Sequence, residues 1–270
     1  MAKYKKKRAR ELQHDKFRDT AGKIFDRLGD RLEGKGKAIL YGLVGLVVAA
    51  LLFGVFVNWR NRKADEAQRA LGRAIEIASS PLAGDPLGAD PKAQKFASEQ
   101  ERAQKAIEEF QKVAAKYGDP YRTEARYFIA TSMLAVDRTK AIAELAEVAK
   151  SSVPEVATLA KFALAQAKEA EGGLDEAAAL YAELAKQQVP VVTADTANLR
   201  LAGVYEKQGK KKEATDLLFN IVDAGRQVKD KDGASVPLSS AAREATEQLQ
   251  KLDPDRYAKL TPEAPGGLPF

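Results

Sequence analysis

Residues 164–190 read LAQAKEAEGGLDEAAALYAELAKQQVP, a stretch in which a Gly pair separates two Ala-rich apolar segments. In the second segment an alanine is followed four positions later by a large apolar residue, and three positions after that by another. Such offsets place side chains on one face of a helix. The triplet occurs four times, with its alanines 35, 36 and 37 residues apart: Ala106/Phe110/Val113, Ala141/Leu145/Val148, Ala177/Tyr181/Leu184 and Ala214/Leu218/Ile221.

A second apolar element lies upstream of each of the last three triplets. Small residues in it would let two antiparallel helices approach closely, and Gly172 and Gly209 would permit the turn between them. The first triplet has no such neighbour, unless residues 64–79 supply it across a Pro-rich insertion. The upstream elements are Ile129-Ala130 with Met133, Leu164-Ala165, and Leu201-Ala202 with Tyr205.

These residues resemble the tetratricopeptide repeat, a helix hairpin with a period of about 34 residues. The match is best over 164–190 and 201–222, whereas Asp137 and Arg138 stand where another unit should have its turn glycine. The resemblance implies an all-α fold: an N-terminal transmembrane helix followed by a tetratricopeptide-like α-solenoid of about four helix hairpins.

The apolar run AILYGLVGLVVAALLFGVFV, residues 38–57, contains no charged residue and no Asn, Gln, Pro, Ser or Thr. As a helix rising about 1.5 Å per residue it would reach roughly 30 Å, the thickness of a hydrocarbon core. Tyr41 and Trp59 lie near its two ends, where amphipathic rings prefer the headgroup region. A cleaved signal peptide is disfavoured because the preceding region is long and no small-residue cleavage site follows. We predict a transmembrane signal-anchor helix over residues 38–58.

Residues 1–37 carry most of the positive charge, with thirteen Lys and Arg against six Asp and Glu. Cation counts within twenty residues of the apolar run are nearly balanced, so the predicted orientation, with a cytoplasmic N-terminus, rests on the whole tail. Residues 11–33 have the periodicity of an amphipathic helix on an anionic membrane; a solvated tail that only sets topology is the alternative. Five cations are assigned to the membrane surface: Lys5, Lys6, Lys7, Arg8 and Arg10.

Composition shifts and Pro/Gly-rich stretches divide the chain into five segments. A helix over 238–252 is expected to cover the open end of the last repeat. The segments are a basic cytoplasmic tail (1–37), the transmembrane helix (38–58), a juxtamembrane helix with a Pro/Gly-rich linker (59–91), the repeat domain (92–252) and a disordered tail (253–270).

The sequence offers little that could carry catalysis. There is no Cys and a single His, His14, so thiol chemistry, disulfides and Cys/His metal sites are excluded. Residues 29–36 resemble a phosphate-binding loop but lack its Ser or Thr and its preceding strand. Residues 230–233 resemble part of a calcium loop without its first ligand or helix–loop–helix frame. We therefore predict no catalytic or metal-binding residue, no cofactor, no small-molecule substrate and no nucleic acid partner.

A helical solenoid without catalytic residues is expected to act as a binding surface for proteins or peptides. The first helix of each hairpin lines a groove in such folds, and a groove of this kind accepts a peptide or a partner helix. Anionic membrane lipids are the partners expected for the basic tail. The candidate partner-binding residues in the groove are Arg126, Gln166, Arg200 and Tyr205.

The arrangement of basic tail, signal anchor and about 200 residues of repeats resembles the YfgM family of bacterial inner-membrane proteins, ancillary subunits of the SecYEG translocon. The resemblance implies a single-pass protein whose periplasmic domain meets SecYEG, exported polypeptides or periplasmic chaperones. Two alternatives stay open: a scaffold for cell-envelope or division assembly, and a cytoplasm-facing regulatory adaptor. Protease added to spheroplasts distinguishes the adaptor, because residues 60–270 would then be protected.

Overall fold

The computed structural model describes residues 36–83, 95–187, 189–231, 233 and 235–261. Within these ranges the chain consists of helices, with two isolated bridges and no strand of a sheet. The chain divides into two compact units, one ending at Asp65 and the other beginning at Glu66. The predicted amphipathic helix at 11–33 and the five membrane-surface cations from Lys5 to Arg10 lie outside the described residues.

The first helix, α1, runs from Gly36 to Ala78. In the first unit its apolar side chains are exposed, with Leu51 and Leu52 each at 66% of their full accessibility. In the described part of the chain, a single candidate span for a membrane is found by length and composition, Val44–Ala78, with a mean hydropathy of 1.6 and no buried residue in its apolar window. The long apolar helix predicted at this position is therefore present.

The second unit is a succession of antiparallel helices in which each helix packs against the next. The end of α1 and α2 form hairpin one, α3 and α4 hairpin two, α5 and α6 hairpin three, and α7 and α8 hairpin four. The predicted all-α, tetratricopeptide-like solenoid is confirmed. The bounds are α2 Glu99–Lys116, α3 Tyr121–Met133, α4 Arg138–Val148, α5 Pro154–Ala170, α6 Leu174–Leu184, α7 Ala194–Lys207, α8 Lys211–Gln227, α9 Ser240–Leu252 and α10 Pro254–Tyr257.

The four triplets identified in the sequence form the inner face of α2, α4, α6 and α8. All twelve side chains are at most 3% exposed. The alanine of each triplet is completely buried, because a methyl group at this position allows the helices of the hairpin to approach closely while the large residues fill the space beside it. The triplets therefore act as the packing core of the repeat.

Hairpin one answers the question that the sequence left open. Ala67, Leu71 and Ala74 of α1 pack with Ala106 and Phe110 of α2 in one cluster, so residues before the insertion supply the missing first helix. The second unit accordingly begins at Glu66, whereas the sequence boundary placed the repeat domain at residue 92. The insertion obscured this partnership because it lengthens the usual short connection.

Two glycines end the first helices of hairpins three and four with the same hydrogen bonds. Gly172 and Gly209 have φ values of 81° and 75°, in the left-handed region. At the second of them, the N–H of Lys210 donates to Tyr205 O over 2.8 Å and the N–H of Gly209 donates to Glu206 O over 2.9 Å. This is the Schellman arrangement, which favours glycine because a Cβ is disfavoured at positive φ.

Substituting Gly209 with alanine is expected to lower the free energy of unfolding by about 1–2 kcal/mol, because a Cβ is strained in the left-handed conformation. Gly203 is a matched control inside α7: a Cβ there meets no atom within 4 Å, so Gly203→Ala should stabilise by roughly 0.5–1 kcal/mol. Urea denaturation of the full chain in mild detergent, followed by circular dichroism, measures both. Effects of the same sign would contradict this assignment.

The carboxyl end of the solenoid is closed by α9 and α10. Ala242, Ala245 and Leu249 of α9 are fully buried against hairpin four, and Ser239 caps the helix by accepting a hydrogen bond from the N–H of Ala242 over 3.1 Å. The predicted terminal helix is present, two residues shorter than the predicted stretch 238–252.

Residues 253–261 are folded, in contrast to the predicted disordered tail at 253–270. Arg256 forms an ion pair with Asp216 of α8 and lies 5.1 Å from the ring centroid of Phe219. Leu260 is only 6% exposed. The Pro/Gly-rich composition concealed these contacts, since α10 has only four residues and is ordered by packing. Residues 262–270 lie outside the described residues.

Candidate partner-binding groove

A polar contact links the first helices of hairpins three and four. The Glu169 carboxylate of α5 accepts a hydrogen bond from Lys207 Nζ of α7 over 2.5 Å and another from Tyr181 Oη of α6 over 3.1 Å. Tyr181 is fully buried. Burial raises the pKa of Tyr181, the Glu169 charge raises it further, and the positive charge of Arg200 opposes both. The phenol therefore stays protonated and continues to donate to Glu169.

Three residues lie about one turn before this contact along the two helices. Gln166 precedes Glu169 by three positions, Gly203 precedes Lys207 by four, and Arg200 precedes Gly203 by three. These offsets place each residue on the same helix face as the contact. Gln166 and Arg200 are exposed. We define the candidate groove as the face formed by Gln166, Arg200 and Gly203.

The groove combines an amide, a cation and open space. Gln166 can donate and accept hydrogen bonds, whereas the Arg200 guanidinium only donates. In the described part of the chain Arg200 makes no ion pair, unlike Lys207. A Cβ at Gly203 would meet no atom within 4 Å, so a partner's main chain could lie directly on the helix backbone there. The combination suits an extended peptide that offers carbonyl or carboxylate oxygens.

The structure brings Gln166 and Arg200 onto this face but places Arg126 elsewhere. Arg126 Nε donates to Glu144 Oε1 over 2.7 Å, across hairpin two. The hydrogen bond to Glu144 raises the pKa of the Arg126 guanidinium. Its hydrogen-bonding capacity is thus directed in part to the other helix of its own hairpin.

Tyr205, the fourth candidate, is half-buried. Its ring packs against the clusters on both sides of α7, and Lys210 Nζ lies 5.5 Å from the ring centroid. Its structural role is to join hairpins three and four. Glu169 and Lys207 are absent from the sequence-based candidates; extending helical periodicity by one turn from Gln166 and Arg200 would have identified both.

Among the described residues, no group of three or more His, Asp or Glu side chains lies close enough to hold a metal ion. His14 lies outside that part of the chain. The polar groups in the groove offer no nucleophile paired with a base, and the arrangement is one for hydrogen bonding and charge recognition.

No protein-family model and no curated protein matches the chain. Two solved structures resemble it: the crystal structure of a kinesin light chain from Podosopora anserina with nearly identical TPR-like repeats, and a variant of the same protein. Each is 18% identical in sequence with a TM-score of 0.43, and covers 58% of this chain. The matches span 81% and 80% of the two solved chains.

Proposed function

We propose that this protein is a membrane-tethered scaffold whose repeats bind other proteins in the periplasm and assist their export or their transfer to chaperones at the translocon. The observation that carries the proposal is the exposed groove on α5 and α7, where Arg200 has no carboxylate partner among the described residues. No catalytic constellation competes with this interpretation in that part of the chain.

Tethering is supported by the first unit. The apolar side chains of α1 from Val44 to Phe56 are exposed to solvent at about half or more of their full accessibility, an arrangement that is unfavourable in water and favourable in a bilayer. Trp59 follows this segment, with Lys63 Nζ 4.3 Å from its ring centroid. An aromatic ring and a cation at this position are typical of a membrane interface. The basic tail supports a cytoplasmic N-terminus.

An extended polypeptide is the partner that the groove fits best. Its carbonyl oxygens can accept hydrogen bonds from Gln166 and Arg200, and its main chain can approach α7 at Gly203. Such contacts read the main chain more than particular side chains, which suits a scaffold that meets many unfolded substrates. The SecYEG translocon and periplasmic chaperones are the resident partners implied by the resemblance to the YfgM family.

A photocrosslinking amino acid at position 163, beside the groove, tests this proposal in intact cells. We expect it to trap secreted polypeptides or translocon subunits, with an about tenfold lower yield when Gln166 and Arg200 are both replaced by alanine, because hydrogen bonds to a charged group are lost. Mass spectrometry identifies the trapped proteins, and circular dichroism checks that the variant is folded.

The matched control removes a cation and an amide from the second helix of hairpin four, through Lys211→Ala with Asn220→Ala. Both side chains are exposed, and we expect an unchanged yield. Equal yields from wild type and from the Gln166/Arg200 variant would reject the groove. Exclusive capture of cytoplasmic proteins would reject the periplasmic location.

A further inference from the structure

A pocket of about 680 Å³ opens where hairpins one and two meet, away from the groove on α5 and α7. Its walls come from the end of α1, the beginning of α2, the end of α3 and the beginning of α4. The volume lies within the range of about 300–1,000 Å³ that is usual for ligand sites. Sequence analysis did not identify this site, because its lining residues are dispersed over three connections.

Small side chains create the pocket. Ala78, Ala103, Ala106, Ser132 and Ala135 line it, where larger residues would fill the space between the two hairpins. Its apolar wall is completed by two large residues. The Phe128 ring is stacked on Phe110 with 5.0 Å between centroids, which fixes its orientation, and Leu134 lines the pocket near it. The interior can therefore receive one large apolar side chain.

The rim of the pocket is basic. Arg102 is fixed by a hydrogen bond from its Nη1 to Ser80 O over 3.0 Å. Arg138 is exposed and has no ion pair in the described part of the chain. The acidic lining residue Glu99 has a 68% exposed side chain at 3.9 Å from Arg102, and so exposed a pair contributes little. A carboxylate entering the pocket would thus meet Arg138 without displacing a partner.

Gln100 and Ser132 add uncharged hydrogen-bonding groups beside the apolar wall. Main-chain amides of a bound peptide can pair with such groups, whereas a fatty acyl chain would leave them without partners. The lining therefore favours a peptide over a lipid as the source of an apolar group next to an anion.

We propose that this pocket binds a peptide segment in which a large apolar side chain stands next to an aspartate or glutamate. The apolar side chain packs against Phe128 and the alanine wall, and the carboxylate pairs with Arg138. This site is separate from the groove and does not depend on the membrane location or on the export role.

Fluorescence anisotropy of a labelled peptide with the full chain in detergent tests the proposal. The probe is a heptapeptide with blocked ends and a central phenylalanine–glutamate pair; the comparison peptides carry phenylalanine–lysine and serine–glutamate. We expect the first probe to bind at least about tenfold more tightly than either comparison, since each lacks one of the two contacts.

Two variants locate the binding. Arg138→Glu removes the cation at the first turn of α4, where an acidic residue is compatible with the helix dipole, and Ser132→Phe fills the pocket. We expect each to weaken binding at least about tenfold. Arg122→Glu, the same change at an exposed residue of α3 outside the pocket, and Gln166→Ala with Arg200→Ala in the groove should leave the affinity unchanged.

Failure of the wild-type chain to bind the first probe would overturn the proposal. So would affinity that survives both Arg138→Glu and Ser132→Phe, or binding of dodecanoate without binding of any peptide. Circular dichroism of every variant checks that the helices are retained. Loss of binding in the groove variant alone would move the site to α5 and α7 and would likewise reject the pocket.

Discussion

Replacement of Leu218 by alanine is expected to lower the free energy of unfolding by about 2–5 kcal/mol, the range for a buried leucine whose loss leaves a cavity. Leu218 is 0% exposed and lies in the cluster formed by α7, α8, α9 and Leu260. The surrounding side chains come from several helices, so they cannot all move to fill the space. Urea denaturation of the full chain in mild detergent measures the change.

Val228→Ala is the matched control for this substitution. Val228 follows α8 and is 51% exposed, so its truncation should change the free energy of unfolding by no more than about 0.5 kcal/mol. A loss below about 1 kcal/mol for Leu218→Ala would show that this position of the triplet does not carry the packing that we assign to it.

Two arginines placed in the apolar part of α1 should remove the protein from membranes. Val47→Arg with Leu51→Arg adds about 5–7 kcal/mol on the insertion scale, comparable with the roughly 4–8 kcal/mol that the apolar side chains of the run supply. Both residues are more than half exposed. We expect the wild type in the membrane pellet after ultracentrifugation and the variant in the supernatant or degraded.

The same pair of substitutions beyond the apolar run serves as the control. Gln68 and Gly72 are exposed residues of α1, also four positions apart, and Gln68→Arg with Gly72→Arg should leave the protein in the pellet. Recovery of the wild type in the aqueous fraction without detergent would refute the anchor and the location that depends on it.

The core of the repeats was predictable because its determinants are local. The alanine triplets recur at nearly constant spacing, and helical periodicity alone places their side chains on one face. The structure buries all of them. Gly172 and Gly209 were predicted as turn residues for the same reason, since a left-handed helix end strongly favours glycine.

Other features depend on contacts between residues far apart in sequence. The partnership of Leu71 with Phe110 spans the insertion, and the order of residues 253–261 depends on Arg256 meeting Asp216. The ion pair of Arg126 with Glu144 likewise depends on how α3 lies against α4. Composition and spacing do not encode these approaches directly, so sequence analysis left them open or predicted them wrongly.

The packing clusters differ in how many side chains they have in common. Leu180 belongs to the clusters of hairpins two and three, and Tyr205 and Leu217 belong to those of hairpins three and four. Within the described residues, the cluster of hairpin one has no member in common with its neighbour and meets it through α3, where the Tyr127 and Phe128 rings are 5.2 Å apart. Cooperativity in a linear array passes only between adjacent units. Local opening should therefore cost least at hairpin one, and the chain need not melt in a single all-or-none transition.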